Sequence, residues 1–208
     1  NSVQLIAVSK TVEVSRILEA ISCGVTALGE NRVQELLQKY EIIGNKVDWH
    51  LIGSLQTNKA KYIVDKVAMV HSLDREELAW ELQKRCAAIG RQLPVLLQVN
   101  ITKESTKSGF YEEEIVPFLK TVTQYPNLLI SGLMTIGLPC DDPEETRPVF
   151  QRLRILKESI TALGLPGVNM KYLSMGMSHD YPVAIAEGAN LVRVGSAIFG
   201  KRFYPNVS

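Results

Sequence analysis

Leu5–Val8, which reads Leu-Ile-Ala-Val, is the stretch of sequence that decides the fold. Its apolar residues are continuous, as they are in strands that a parallel sheet buries on both faces. Ser9 and Lys10 follow at once, so the run has the length of a strand. Val95–Leu97 repeats the pattern in the middle of the chain. These runs predict a parallel sheet that is covered on both sides.

Working outward from the first run, short β-rich segments alternate with longer helical patterns along the whole chain. Apolar stripes at helical spacing begin at Val33, Leu78 and Val149, and a glycine closes the last two. Eight strands are predicted: Leu5–Val8, Val25–Leu28, Trp49–Ile52, Ala68–His71, Val95–Val99, Leu129–Met134, Lys171–Leu173 and Leu191–Val194.

Eight strands that alternate with about seven helices imply parallel pairing through right-handed crossovers. Eight such units close into a (β/α)8 barrel, a TIM barrel, and 208 residues lie near the lower limit for that fold. A doubly wound open sheet is the alternative. No linker divides the chain, so a single domain over residues 1–208 is predicted.

Composition excludes several classes of protein. The 23 Lys and Arg residues balance 22 Asp and Glu residues, so there is no broad basic surface for nucleic acid. No apolar run reaches the roughly 18 residues of a membrane helix, and charges interrupt the apolar start that a signal peptide would need. Three widely spaced cysteines resemble the reduced thiols of a cytoplasmic protein.

Small polar residues follow the last two predicted strands. Gly176 and Ser178 come after the seventh strand, and Gly195 and Ser196 come after the eighth. In parallel barrels these two strand ends commonly hold a phosphate group, because backbone N–H groups converge there. Ordinary turn chemistry explains the same residues, and both interpretations stay open at this point.

Lys10 ends the first predicted strand at the mouth of the barrel. Desolvation among apolar neighbours would favour the neutral amine that forms Schiff bases. An ordinary solvated lysine is the alternative. Together with two phosphate-type loops, Lys10 suggests a phosphorylated aldehyde held at both ends, which describes pyridoxal 5′-phosphate (PLP).

Seven blocks of sequence, in order along the chain, resemble those of the PLP homeostasis proteins, the YggS/PROSC family. That family resembles the barrel domain of alanine racemase, a fold type III PLP protein. The blocks are Ala7–Lys10, Gly29–Asn31 with Val33–Glu35, Trp49–Gly53 with Leu55–Lys59, Glu104–Ser105 with Lys107–Gly109, Gly132–Gly137, Leu173–Ser178 and Val192–Gly200.

The resemblance implies a complete PLP site. Lys10 is implied to form the Schiff base with PLP, Ser178, Gly195 and Ser196 to hold the phosphate, and Arg193 to face the pyridine nitrogen. Family members usually carry a helix before the first strand, and we expect that helix to be absent here.

The resemblance also implies residues around the cofactor. Asn31 is implied to line the site. The histidines lack metal-like spacing, so no metal is expected. Plausible wall residues are Ser174, Met134 and His50, although a histidine on a strand is equally a satisfied core residue.

The expected activity is that of a carrier or buffer of PLP. Arginine only donates hydrogen bonds, so Arg193 would leave the pyridine nitrogen unprotonated and weaken carbanion chemistry. A racemase also needs a second acid/base, which in alanine racemase comes from another domain that we expect to be missing here. The sequence therefore predicts no catalytic residue of its own and an indirect effect on amino-acid and keto-acid balance.

Two rival functions remain open. One is a fold type III enzyme, an amino-acid racemase or decarboxylase. The other is a sugar-phosphate isomerase in which Lys10 acts only electrostatically. Lys107 is a candidate second amine for handing PLP onward, with a solvated loop lysine as the alternative. The expected partners are PLP and apo forms of PLP-dependent enzymes, without nucleic acid or membrane, and the expected state is a cytoplasmic monomer.

Overall fold

A closed barrel of eight parallel strands forms the centre of the molecule. The computed structural model describes residues 2–104 and 106–200, and Asn1, Ser105 and residues 201–208 lie outside them. The strands are β1 (Gln4–Val8), β2 (Ala27–Glu30), β3 (Asp48–Leu51), β4 (Met69–Leu73), β5 (Leu93–Gln98), β6 (Leu128–Met134), β7 (Val168–Met177) and β8 (Leu191–Val194).

Helices surround the barrel. A 3-10 helix, Thr57–Tyr62, occupies the crossover between β3 and β4, and shorter 3-10 turns span Gly44–Lys46 and Pro143–Thr146. The α-helices of the described residues are α1 (Val14–Ser22), α2 (Val33–Ile43), α3 (Glu76–Ala88), α4 (Glu112–Val122), α5 (Arg147–Ala162), α6 (Tyr181–Ala186) and α7 (Ser196–Phe199).

Pairing of the first and last strands closes the barrel. Each strand pairs in parallel with the next along the chain, and β1 returns to β8 with Ile6 opposite Arg193. This confirms the predicted (β/α)8 barrel, and the open doubly wound alternative is wrong. Closure leaves no strand edge unpaired and brings all eight carboxyl-terminal strand ends to one mouth.

Two apolar cores sit on opposite sides of the strands. The large core lies between strands and helices, where residues such as Leu28 and Leu36 are buried. The small core fills the barrel itself and consists of Ile6, Ala27, Met69, Leu96, Met134 and Leu191. Because these side chains plug the interior, the barrel is a packed core, and ligands are confined to its mouth.

Two strands differ from their predicted bounds. Strand β2 begins at Ala27 and includes Gly29 and Glu30, which we expected to follow the strand. Strand β7 is ten residues long and extends through Ser174 to Met177, where the sequence predicted only Lys171–Leu173. Shifts of register against both neighbouring strands accommodate this length. Ser174 and Gly176 suggested a loop after Leu173, but both residues lie within the strand and are buried.

None of the helices in the described ranges has the length and apolar character needed to cross a bilayer. Cys23, Cys86 and Cys140 are all free thiols, as their spacing suggested. Ser105, in one of the blocks that carry the family resemblance, lies outside the described residues.

Candidate functional site

A cavity of about 290 Å³ opens at the carboxyl-terminal mouth of the barrel. Its walls come from the ends of β1, β2, β3, β6, β7 and β8, which are neighbours around the closed sheet. The structure brings together there all six residues that the sequence analysis assigned to the cofactor site, namely Lys10, Asn31, Ser178, Arg193, Gly195 and Ser196.

Lys10 follows β1 directly and lines the cavity with a half-buried side chain. Val8 and Ile52 form apolar wall beside it. Ser9, the residue before it, is fully buried, and its backbone N–H donates to the carbonyl of Gly29 over 3.1 Å. The amine is therefore carried on a rigid strand end in partly apolar surroundings.

Arg193 lies on the inner face of β8, and its side chain is buried. Its guanidinium donates to Ser174 Oγ over 2.6 Å and to the carbonyl oxygen of Thr135 over 2.8 Å. Both acceptors are neutral, and no carboxylate of the described residues forms an ion pair with it. Burial lowers the pKa of Arg193 to about 10, against the opposing charge of Asp180. A protonated guanidinium at neutral pH therefore lines the cavity without a direct counter-ion.

Two buried histidines continue this hydrogen-bonded chain into the barrel. His71 Nδ1 lies 2.9 Å from Ser174 Oγ, and His71 Nε2 lies 2.9 Å from His50 Nδ1. Arg193 can only donate, so Ser174 accepts from it, and the same hydroxyl lies within hydrogen-bond distance of His71. One continuous chain of hydrogen bonds thus joins the guanidinium to both rings.

Both histidines are neutral at physiological pH. Burial lowers the pKa of His50 to about 4. Burial, and then the nearby charges of His50 and Arg193, hold the pKa of His71 well below its ordinary value. Sequence analysis treated His50 as either a wall residue or a core residue and did not link it to His71. The sequence does contain a signal for this pair, because His50 and His71 lie at inward-facing positions of the adjacent strands β3 and β4.

The loops after β7 and β8 meet at Ser178. Its hydroxyl oxygen accepts the backbone N–H of Gly195 over 3.0 Å and that of Ala197 over 3.3 Å. Two amides therefore converge on one oxygen position at the edge of the cavity. Converging N–H groups of this kind suit an anionic oxygen. His179, which the sequence analysis did not select, also lines the cavity and lies next to Ser178 in the chain.

Asn31 sits between the cavity and a neighbouring one of about 280 Å³. Its Oδ1 atom is buried and has no hydrogen-bond partner among the described residues. A side chain on Gly53 would collide with the backbone of Asn31, so the glycine lets the two strand ends approach. The buried amide oxygen is therefore available to accept a hydrogen bond from a water molecule or from a ligand.

Lys107 lines the neighbouring cavity and not the one that holds Lys10. Its amine lies 2.7 Å from a carboxylate oxygen of Glu104. The two lysines thus line different cavities.

Comparison with known proteins identifies relatives of this chain. The sequence profile of the family described as alanine racemase, N-terminal domain, matches residues 1–203. A pyridoxal phosphate homeostasis protein of Aquifex aeolicus is 44% identical over 205 residues, which are 98% of this chain and 89% of that protein. One of Vibrio alginolyticus is 41% identical over 208 residues, covering 98% and 88%.

Solved structures are similar as well. PipY of Synechococcus elongatus, solved with PLP bound, superposes with a TM-score of 0.88 at 36% identity, over 95% of this chain and 92% of that one. Alanine racemase of Clostridium difficile superposes with a TM-score of 0.79 at 16% identity, over 100% of this chain and 57% of that one. The second likeness concerns the fold alone.

Proposed function

The chain belongs to the pyridoxal phosphate homeostasis protein family, which is built on the alanine racemase N-terminal domain, and from this premise we propose that it binds PLP at the barrel mouth and serves as a carrier of that cofactor. The observation that carries the proposal is the single cavity that holds Lys10, Arg193 and the loops around Ser178.

The residues present fit PLP in charge and in hydrogen bonding. Arg193 is a buried cation that forms no ion pair with a carboxylate among residues 2–104 and 106–200, and PLP is an anion. The amides that converge near Ser178 suit a phosphate oxygen, and the buried Oδ1 of Asn31 lacks a donor. When bound, PLP supplies an aldehyde that a neutral amine can attack.

Each side chain has a proposed role. Lys10 offers its amine to the aldehyde, with loss of water, so that the cofactor is held covalently and reversibly. Ser178, Gly195 and Ser196 hold the phosphate. Arg193 donates a hydrogen bond to the pyridine nitrogen, and Asn31 lines the same cavity.

The same geometry argues against strong amino-acid chemistry. Arg193 stays protonated at neutral pH and its hydrogen-bond partners are neutral, so nothing in that chain gives a proton to the pyridine nitrogen. An unprotonated ring is a weak electron sink. The pyridoxal phosphate homeostasis protein of Aquifex aeolicus has nearly the length of this barrel, since 89% of it is covered.

We propose in addition that the carrier works as a monomer in the cytoplasm and releases PLP to apo forms of PLP-dependent enzymes. Three free thiols are typical of a reducing compartment and support this location. The proposed effect on amino-acid and keto-acid balance is then indirect, through the supply of cofactor.

Lys10→Ala is the decisive variant, and Lys107→Ala is its matched control from the neighbouring cavity. We expect the purified wild-type protein with PLP to absorb visible light and to yield a PLP-labelled Lys10 peptide after borohydride reduction. Lys10→Ala should lose both signals, and Lys107→Ala should keep them. A label on another residue, or an unlabelled wild-type protein, would refute the proposal.

A fold type III racemase or decarboxylase is the second candidate, and His179 at the cavity edge is the observation in its favour. A panel of amino acids assayed with the PLP-loaded protein separates the two functions. We expect turnover far below the roughly 1–1000 per second of ordinary enzymes. Turnover within that range that is lost in His179→Ala would establish an enzymatic function and refute the carrier function.

A further inference from the structure

A buried cluster of charged side chains lies directly behind the turn that carries Lys10. It consists of Glu30 at the end of β2 and of Glu35 and Lys39 on α2. The Lys39 amine donates to Glu30 Oε1 and to Glu35 Oε1, each over 2.7 Å, and to the backbone carbonyl of Ser9 over 2.6 Å. These contacts use all three hydrogens of the ammonium group.

The cluster forms hydrogen bonds with the residues on both sides of Lys10. On one side, Ser9 gives its carbonyl to Lys39 and donates its hydroxyl to Glu30 Oε1 over 2.6 Å. On the other side, the backbone N–H of Thr11 donates to Glu35 Oε1 over 2.5 Å. Thr11 has φ +63°, in the left-handed region that residues with a β-carbon seldom adopt. The contact with Glu35 holds the backbone in that conformation.

The cluster cannot reach a ligand at the barrel mouth. Side chains alternate along β2, so that Ala27 faces the barrel interior and Leu28 faces the helices. Glu30 therefore points to the helix side with Leu28. Glu35 and Lys39 line an outer groove between the β1–α1 turn and α2, and the cavity of Lys10 contains neither. Any effect on the cofactor has to pass through Lys10.

Stability alone is a poor explanation for this arrangement. Glu30 is fully buried, and burial raises its pKa in spite of the hydrogen bonds from Lys39 and Ser9. Its Oε2 atom has no partner among the described residues. Desolvation also acts to raise the pKa of Glu35, but hydrogen bonds from Lys39 and Thr11 outweigh it and lower the value. Apolar residues in such positions commonly give equal or greater stability.

We propose that Glu30, Glu35 and Lys39 are positioning residues for Lys10: they fix the peptide groups on either side of it and so aim its amine into the cavity. The inference rests on the proposed function where it concerns PLP, and on the geometry of the turn alone where it concerns Lys10. No residue of the cluster takes part in the chemistry.

Glu35→Ala tests the proposal with little risk to the fold, because the Glu35 side chain is 23% exposed. The matched control is Glu81→Ala, which breaks another ion pair between residues four apart on a helix, that of Glu81 with Arg85 on α3. Glu35→Gln is the conservative variant, since its amide oxygen can still accept from Thr11 and Lys39.

Two ligands separate positioning from general damage. PLP has the aldehyde, and 4′-deoxypyridoxine 5′-phosphate has a methyl group in its place and binds only non-covalently. In Glu35→Ala we expect the Kd of PLP to rise about tenfold, which corresponds to one lost charged hydrogen bond, with the Kd of the deoxy compound unchanged. Glu35→Gln should restore most of the loss, and Glu81→Ala should match the wild-type protein.

A measurement without cofactor keeps this test independent of the proposed function. Amide hydrogen exchange at Thr11 should be about tenfold faster in Glu35→Ala than in Glu81→Ala, because its acceptor is gone. Equal weakening of both ligands, or unchanged exchange and unchanged Kd in Glu35→Ala, would overturn the inference. If the wild-type protein bound both ligands equally, the proposed Schiff base would fail, while the exchange result would still decide the positioning role.

Discussion

At the scale of single residues, Arg193 is the residue of the site whose charge is buried and must be stabilised by hydrogen bonds. It is a buried cation whose described acceptors are a serine hydroxyl and a backbone carbonyl. Ser174 is the link between the guanidinium and the two neutral histidines, since its hydroxyl accepts from Arg193 and lies 2.9 Å from His71 Nδ1. This hydroxyl and the carbonyl of Thr135 together fix the direction in which Arg193 points.

Ser174→Ala should loosen Arg193 without touching Lys10. One hydrogen bond to a charged group is lost and His71 loses a hydrogen-bond partner, so we expect the Kd of PLP to rise about tenfold. The borohydride-trapped label on Lys10 should persist at saturating PLP. An absorbance titration measures the first effect and peptide mass analysis the second.

Ser159→Ala is the control for Ser174→Ala, because it removes an exposed serine hydroxyl that donates to a carbonyl on α5. It should bind PLP like the wild-type protein. Unchanged PLP binding in Ser174→Ala would show that Arg193 does not depend on this contact.

The sequence predicted the site at this scale only in part. The six site residues were predicted from their positions at strand ends and from the family resemblance, and both are signals in the local sequence. The Arg193–Ser174–His71–His50 chain joins four strands, and only closure of the barrel brings those side chains together. Lys39 was missed although it interrupts the apolar stripe of α2 between Leu36 and Ile43, which is a signal for a buried charge.

At the scale of elements, the length of β7 decides where the phosphate loop lies. The strand runs on to Met177, and Ser178 follows immediately, facing the residues after β8. The predicted strand stopped at Leu173 because Ser174 and Gly176 suggested a loop. Inside a barrel, however, a serine can satisfy its hydroxyl against Arg193, and polar residues then continue a strand.

Ser178→Ala should weaken PLP binding through the phosphate alone. The variant loses the hydroxyl at which the loops of β7 and β8 meet, so we expect the Kd of PLP to rise about tenfold. Pyridoxal, which has no phosphate, serves as the internal control and should bind equally to both proteins. A parallel loss for the two ligands would remove Ser178 from the phosphate site.

At the scale of the whole molecule, the barrel interior combines an apolar cluster with a polar chain of side chains. The cluster includes Ile6, Met69 and Leu96, and the polar chain runs from His50 and His71 to Arg193 at the mouth. The sequence predicted the barrel from eight repeated units. It could not predict this division of the interior, since neighbours across the interior are far apart in the chain.

The buried histidines make stability depend on pH. An unfolded histidine titrates near pH 6.5, whereas His50 in the folded state titrates near 4. Between these values only the unfolded state binds the proton, so stability is fully present above pH 6.5 and is lost as the pH falls. The expected loss is about 1.4 kcal/mol per pH unit for His50, and the lowered pKa of His71 acts in the same direction. Glu30 acts in the opposite direction, because its raised pKa stabilises the fold at low pH and that contribution fades as the pH rises.

His50→Gln isolates the histidine contribution from that of Glu30. Urea unfolding at pH 7 and pH 5 gives the change in unfolding free energy for each protein, and the loss on acidification should be smaller in the variant by about 2 kcal/mol. His179→Gln, which alters an exposed histidine, is the control and should follow the wild-type protein. The variant will be less stable at both pH values because the buried contact with His71 is altered, and only the difference between them tests the argument. Equal losses in His50→Gln and the wild-type protein would mean that His50 takes up a proton in the folded barrel as readily as in the unfolded chain.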